Sequence, residues 1–324
     1  MPKSDPENWD NYWQGRSSQR SGNALVEVGI ENNHSLNQFW LDFFHAKSKS
    51  SEIADFACGA GSVLKHANSL DFSHLTGVDI SPKALDIMQK KIPGATAICS
   101  PVNKTPLKNA SFDIVVSQFG IEYAGNENYL LQAFREMHRI LKPDGEICVI
   151  SHAKNSVIHK GCLVSLSNIK VIETSRFIET AKNTLSKLYE SDSGSTPQDF
   201  NAQFAQLNQS AQPIMEWLKT ANRDKDNFAQ FTYNMLESSH KLITRYQSYS
   251  FQDGLKWFEG IESELAAYKG RMTSMTQAAQ SEEDLSILVK NLTQLESKLQ
   301  FAALEKFYFP PDNKLAAWII RASK

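Results

Sequence analysis

The stretch IADFACGAGSVLKHA, residues Ile53–Ala67, predicts a strand, a loop of small residues and the start of a helix. Gly59 and Gly61 lack side chains, so a ligand can approach the backbone of this loop closely. A helix that follows such a loop offers unpaired N–H groups and the positive end of its dipole. The segment is therefore typical of a strand–loop–helix unit that binds a nucleotide-like ligand.

Short apolar runs and helical patterns continue to alternate between about residues 50 and 152. This alternation predicts an α/β fold with a doubly wound, mostly parallel sheet, whose ligands bind at the carboxyl ends of the strands. Pro82 after Ser81 indicates a helix start, and Lys142–Gly145 (KPDG) indicates a turn before the next strand. The predicted strands are Glu52–Ala57, Leu75–Ile80, Ala95–Cys99, Phe112–Gln118 and Glu146–Ser151, and the predicted helices are Ser62–Leu70, Pro82–Lys91 and Glu127–Leu141.

The pattern becomes helical after about residue 156, and strands return only near the end of the chain. Ser281 and Asp284 predict a capping box at the start of one helix, with leucines at alternating spacings of three and four along its face. Leu304–Phe309 and Leu315–Ala322 flank a Pro-Pro-Asp-Asn turn, which predicts a β-hairpin. We therefore predict an N-terminal helical segment at 1–50, a sheet domain from 51–155 and 304–324, and a helical insertion at 156–303.

The composition disfavours several classes of partner. Lys and Arg total 34 against 36 for Asp and Glu, so the chain has no broad positive surface for nucleic acid or an anionic membrane. The first residues lack the apolar core of a signal peptide, and no apolar run has membrane-spanning length, which predicts a cytoplasmic location. The cysteines and the eight histidines show no metal-like spacing, so we expect no metal.

Four segments, in order, resemble the motifs of class I S-adenosylmethionine-dependent methyltransferases, of the type 11-like kind. They are Asp55–Gly61, Gly77–Ser81, Pro106–Ser117 and Arg135–Gly145. The resemblance implies a seven-stranded Rossmann-like sheet with a C-terminal antiparallel hairpin, S-adenosyl-L-methionine as cofactor, a lid at 1–50 and a substrate cap at 156–303. A dinucleotide-binding oxidoreductase is disfavoured, because Leu64 stands where that fingerprint has its third glycine.

The resemblance and the loop chemistry nominate cofactor-binding residues. Asp79 ends the second strand, where a carboxylate can accept both hydroxyls of a ribose. The resemblance implies that Asp55 positions the methionine end of the cofactor. Ala57 replaces the first motif glycine, and Pro101 falls where many relatives have an acid for the adenine amino group. The full predicted set is Asp55, Ala57, Cys58, Gly59, Gly61, Asp79, Ile80, Val102, Asn103, Ser117, Gln118, Tyr12 and Arg16.

The chemistry itself asks little of side chains, since a sulfonium is an activated methyl donor and the protein mainly aligns the reactants. A base is useful when the acceptor is a hydroxyl or a protonated amine. His152, which follows the fifth strand, is the predicted catalytic base, although it also fits a hydrogen-bonded loop histidine. Glu122 and Tyr123 follow the fourth strand and are predicted to contact substrate.

These features predict methyl transfer to a small or medium-sized molecule. Nucleic-acid or protein methylation is an alternative within the class, and the Asn/Asp-Pro-Pro-Tyr signature of amino-directed base methylation is absent. A non-catalytic cofactor-binding scaffold protein is the alternative from another class. The acceptor atom and the oligomeric state stay open.

Overall fold

The computed structural model describes residues 33–124, 127–190, 197–223 and 226–324, so the predicted contacts Tyr12 and Arg16 lie outside the described residues. The chain divides into two compact units. One contains the described residues up to Cys162 together with Ser274–Lys324, and the other contains Leu163–Thr273. The predicted role of the helical insertion as a substrate cap stays a prediction.

An eight-stranded sheet forms the centre of the first unit. Its order is β3-β2-β1-β4-β5-β8-β6, and β7 pairs with β8. Strands β1–β5 are parallel, and β8 runs antiparallel to β5. The α/β doubly wound fold is thus confirmed, with a two-residue strand added to the seven predicted. The strands are β1 Ile53–Phe56, β2 Leu75–Asp79, β3 Thr96–Cys99, β4 Phe112–Gln118, β5 Leu141–His152, β6 Gln300–Phe301, β7 Glu305–Phe309 and β8 Lys314–Ser323.

Two helices begin at the capping residues that the sequence predicted. Ser81 accepts a hydrogen bond from the Ala84 N–H, and Pro82 occupies the first helical position, as predicted. Ser281 and Asp284 form the predicted reciprocal capping box. The α-helices are α1 His34–His45, α2 Leu64–Ser69, α3 Pro82–Lys91, α4 Glu127–Ile140, α5 Val157–Ser175, α6 Phe177–Glu190, α7 Pro197–Thr220, α8 Asn227–Thr244, α9 Phe251–Ala278 and α10 Glu282–Leu295.

The two faces of the sheet are covered by different helices. Val115 packs in an apolar cluster with residues of α4 and α10, whereas Ile114 and Val116 pack in a cluster with residues of α1, α2 and α3. This alternation follows from the two-residue period of a strand. It places α1, with the fully buried Trp40, on the face opposite α4.

Strand β5 begins five residues earlier than predicted. Leu141 pairs with Phe112, but Glu146 pairs with Ile114, so the register shifts across the intervening residues. Asp144 has a φ of +63° within this stretch. The predicted turn at 142–145 is therefore a bulge inside one long strand, because its ends remain paired to the same neighbour.

The second unit is helical in the part that the structure describes. Phe177, Ala181, Leu185 and Leu188 are all buried along one face of α6, at the predicted helical spacing. The ring of Phe228 on α8 stacks on Tyr268 of α9 with centroids 5.1 Å apart. Across the described residues of both units, we find no helix with the length and apolar character of a membrane span.

Candidate functional site

The loop after β1 adopts a backbone that favours small residues. Ala57, Gly59 and Gly61 have φ values of +54°, +52° and +76°. A Cβ at Gly61 would lie 2.7 Å from Cγ of Met88, so the helix α3 side of the loop excludes a side chain there. The Gly61 N–H donates to the Cys58 carbonyl over 2.9 Å, and this bond closes the turn. The loop therefore places main chain with few side-chain atoms at the carboxyl end of a central strand, and Gly59 and Gly61 are themselves buried.

Asp79 fixes this loop to the end of β2. Its Oδ2 accepts the Gly59 N–H over 2.8 Å, and its Oδ1 accepts the Ser81 N–H over 2.9 Å. The side chain is 7 % exposed, and charge-assisted bonds of this kind are stronger than neutral ones. The predicted ribose-binding acid and the predicted glycine loop are thus parts of one structure.

Asp55 is a buried carboxylate without a hydrogen-bond partner among the described residues. It is 1 % exposed, and neither oxygen has a partner. Burial, and secondarily the charge of Asp79, raise its pKa well above the ordinary value. An unpaired buried carboxylate destabilises a fold, so a cationic group of a ligand would relieve this cost. This orphaned carboxylate fits the ammonium of S-adenosyl-L-methionine.

The loop after β4 packs directly on the glycine loop. Ser117 Oγ donates to the Phe56 carbonyl over 2.7 Å, and a Cβ at Gly120 would lie 2.5 Å from Cβ of Ala57. Gln118 Oε1 accepts a 2.6 Å hydrogen bond from the indole N–H of Trp40. Sequence reasoning missed Trp40, because no local pattern links it to a residue 78 positions later.

The predicted adenine contacts follow β3. The Ser100 N–H donates to the Asp79 carbonyl over 2.9 Å, which continues the pairing of β2 with the chain that leads to Val102 and Asn103. Val102 is buried in the α4-side cluster, and the Asn103 amide donates to Gln132 of α4 over 3.0 Å. Of the other predicted contacts, Cys58 is buried in the α1-side cluster and Ile80 is half-buried. A cofactor role for these residues stays a prediction.

Glu122, Tyr123 and His152 form one cluster at the ends of β4 and β5. The Tyr123 hydroxyl lies 2.7 Å from His152 Nε2, and the imidazole stacks on Phe119 with centroids 4.3 Å apart. The backbone N–H of His152 donates a hydrogen bond to Glu122 Oε1 over 3.0 Å. The structure therefore brings together the predicted base and both predicted substrate contacts.

Burial shifts the pKa values in this cluster. His152 is 2 % exposed, and burial, with a smaller effect of His159, lowers its pKa to about 3, so the imidazole is neutral near pH 7. Burial raises the pKa of Glu122 to about 7. Such shifts are common at functional sites. His, Cys, Asp and Glu side chains within the described ranges form no group of three or more that could hold a metal ion.

Comparison with known proteins gives a consistent match. Residues 54–149 match a family model described as a methyltransferase domain. The chain is 29 % identical over 156 residues to the demethylmenaquinone methyltransferase of Chlorobaculum tepidum, covering 45 % of this chain and 61 % of that one. It is 30 % identical over 131 residues to the same-named enzyme of Chlamydia trachomatis, covering 40 % and 48 %. The chain thus spans less than two thirds of the length of either relative.

Solved structures with similarity include S-adenosylmethionine-dependent methyltransferases from Methanosarcina mazei and Aquifex aeolicus. The first is 12 % identical with a TM-score of 0.43 and covers 87 % of this chain and 96 % of that one. The second is 18 % identical with a TM-score of 0.36 and covers 47 % and 76 %. The family match covers residues 54–149, which contain β1–β4, most of β5 and the glycine loop, so this part of the chain is similar to methyltransferase domains.

Proposed function

We propose that this protein transfers a methyl group from S-adenosyl-L-methionine to a small or medium-sized molecule by in-line displacement. The observation that carries the proposal is the glycine loop fixed to Asp79, with the unpaired carboxylate of Asp55 buried beside it. When bound, the cofactor supplies a sulfonium whose methyl group is already activated. The protein then has to align the acceptor with that methyl group and exclude water.

Each acid has a distinct role in this proposal. Asp79 holds two backbone N–H groups of the loop, and its carboxylate is the group that accepts ribose hydroxyls in this proposal. Asp55 accepts from the ammonium of the amino-acid end, which pairs its buried charge. Ala57, Gly59 and Gly61 let the ligand approach the main chain.

Tyr123 and His152 serve the acceptor side. His152 is buried and neutral, whereas Tyr123 is only partly buried. The phenolic oxygen of Tyr123 is therefore the atom of this pair that can reach an acceptor. The Tyr123 hydroxyl, 2.7 Å from His152 Nε2, can hydrogen-bond the acceptor and align it with the methyl group. Because burial lowers the pKa of His152 to about 3, its imidazole is a weak base, and the pair orients the acceptor rather than storing its proton. Glu122 holds the His152 backbone in place through its Oε1.

The relatives favour a small acceptor. Both curated relatives are named for methylation of demethylmenaquinone, which is a small molecule. The near-equal numbers of basic and acidic residues give no general attraction to nucleic acid. A quinone-like ring is therefore a reasonable first acceptor to assay.

Calorimetric titration with S-adenosylhomocysteine tests the cofactor site. We expect the wild type to bind, and Asp79→Asn to weaken binding about 10- to 100-fold, because hydrogen bonds to a charged group contribute roughly 1.5–3 kcal/mol. The control is Asp86→Asn, which changes an exposed acid on α3 and should leave the affinity unchanged. Absence of binding to the wild type, or equal affinities of the two variants, would contradict the proposal.

A methyl-transfer screen tests the acceptor class. Labelled cofactor is offered with separate metabolite, lipid, protein and RNA pools, and label in a small molecule supports the proposal. Label confined to RNA or protein would favour those alternatives, and tight cofactor binding without transfer to any pool would favour a scaffold. With an acceptor identified, Tyr123→Phe and His152→Gln should lower kcat while cofactor affinity is kept.

A further inference from the structure

Trp40 fixes the orientation of the Gln118 side-chain amide. An indole N–H only donates, so the atom 2.6 Å from it must be the amide oxygen, and the amide nitrogen faces the other way. Trp40 is 1 % exposed and packs on Phe39, Phe43 and Phe44, with ring centroids 5.2–5.8 Å apart. Because the indole cannot rotate freely, Gln118 presents two N–H donors in a set direction.

Gln118 and Asp55 lie on the same face of the sheet. Asp55 is in register with Val116, and Gln118 is two residues further along the adjacent strand. Val116 packs in the same cluster as Trp40, and side chains two apart on a strand share a face. The two polar groups therefore lie on one face of the sheet, at the carboxyl ends of two adjacent parallel strands.

The chemistry of the two groups is complementary to an α-amino acid. Asp55 offers unpaired carboxylate oxygens, which suit an ammonium. Gln118 offers amide N–H groups that have no partner among the described residues, and these suit a carboxylate. An α-amino acid carries both of these ligand groups, separated by one carbon.

We propose that Trp40 is a positioning residue, which holds Gln118 so that the amide N–H groups of Gln118 bind the carboxylate of the cofactor's amino-acid end. This inference rests on the proposed function. It gives α1, which precedes the family-matched residues 54–149, a part in cofactor binding.

Two probes separate this role from simple packing. S-adenosylhomocysteine has the amino-acid end, whereas 5′-methylthioadenosine has the same nucleoside thioether without it. We expect Gln118→Ala to weaken binding of the first roughly 10-fold or more and of the second less than about 2-fold. Gln118→Glu should weaken the first further, because its carboxylate still accepts from Trp40 but repels the ligand carboxylate.

Trp40→Phe keeps an aromatic ring and removes only the N–H and part of the ring area. We expect it to weaken binding of S-adenosylhomocysteine by roughly 3- to 10-fold, and to have no further effect when Gln118 is already Ala. Trp257→Phe, in the second unit, is the matched control and should change neither affinity. Thermal unfolding of each variant establishes that it is folded, and the Gln118 variants test the inference even where Trp40→Phe is unstable.

The outcomes separate the inference from the proposed function. Equal losses for both probes would show that the residues only pack, and unchanged affinity for S-adenosylhomocysteine in all Gln118 variants would show that the amide binds nothing; either result overturns the inference. If Asp79→Asn still weakens binding in that case, the proposed function survives. If the wild type binds neither probe, both fail together.

Discussion

Replacing Asp55 by Asn should stabilise the protein while weakening its affinity for cofactor. The carboxylate is 1 % exposed, and neither oxygen has a hydrogen-bond partner among the described residues. Leaving a buried polar group unpaired costs about 1–3 kcal/mol, and more for a charge. Asn keeps the shape and removes the charge, so we expect a gain of about 1–3 kcal/mol in the free energy of unfolding at pH 7.

The gain should depend on pH in a defined direction. Burial and Asp79 raise the pKa of Asp55 in the folded state, so the folded protein holds this proton more tightly than the unfolded chain. That contribution is complete below the unfolded pKa of about 3.9 and is lost as pH rises towards the folded pKa. Asn does not titrate, so the Asp55→Asn variant does not lose this stability as the pH rises. Its excess free energy of unfolding over the wild type should therefore be small near pH 4 and grow as the pH rises.

Differential scanning calorimetry from pH 4 to 8, with and without S-adenosylhomocysteine, measures both effects. Each kcal/mol gained should raise Tm by roughly 2–4 °C for a chain of this order of size. Added ligand should raise Tm less for the variant than for the wild type, because the ammonium has lost its partner. Asp86→Asn, on the surface, is the control. A variant that is less stable than wild type at pH 7, or equally more stable at every pH, would refute this reasoning.

Substitutions at Glu122, Gly77 and Ser281 have clear expected results. Burial raises the pKa of Glu122 to about 7, so the wild type loses stability as the pH rises towards that value. The free energy of unfolding of Glu122→Gln should therefore exceed that of the wild type by up to about 2–4 kcal/mol as the pH rises from about 4.5 to about 7, with no further increase above pH 7. Urea unfolding at several pH values measures this difference. Gly77→Ala should cost about 1–3 kcal/mol, because its Cβ would lie 2.4 Å from Sδ of Met88, and Met88→Ala should cost less in that background than alone. Ser281→Ala should cost about 1 kcal/mol by removing the capping box, measured by Tm, while cofactor affinity is unchanged.

Helix starts were predicted correctly where capping residues lie next to them in the sequence. Pro82 and Ser81 gave the start of α3, and Ser281 with Asp284 gave the start of α10. The turn predicted at 142–145 is instead a bulge inside β5, because residues on both sides of it pair with β4, and sequence alone could not show that pairing. The two-residue β6 was missed because two residues carry no periodicity.

In the candidate site, too, residues with a local sequence pattern were predicted, and contacts that depend on tertiary packing were not. The glycine loop and Asp79 were found from sequence, since small residues and an acid at strand ends carry a strong pattern. Trp40 was not found, because its relation to Gln118 depends on how α1 packs against the sheet. Spacing placed Tyr123 and His152 at neighbouring strand ends, but their 2.7 Å contact needed the structure.

The antiparallel pairing of β8 with β5 has a consequence for the order of folding. Residues 146–152 pair with 317–323, so the whole of Leu163–Thr273 lies between the two partners in the chain. A ribosome therefore releases β5 well before β8, and until then the edge of β5 exposes unpaired N–H and C=O groups next to an apolar surface. We expect the nascent protein to need protection from self-association during that interval, until β8 is available to cover the edge.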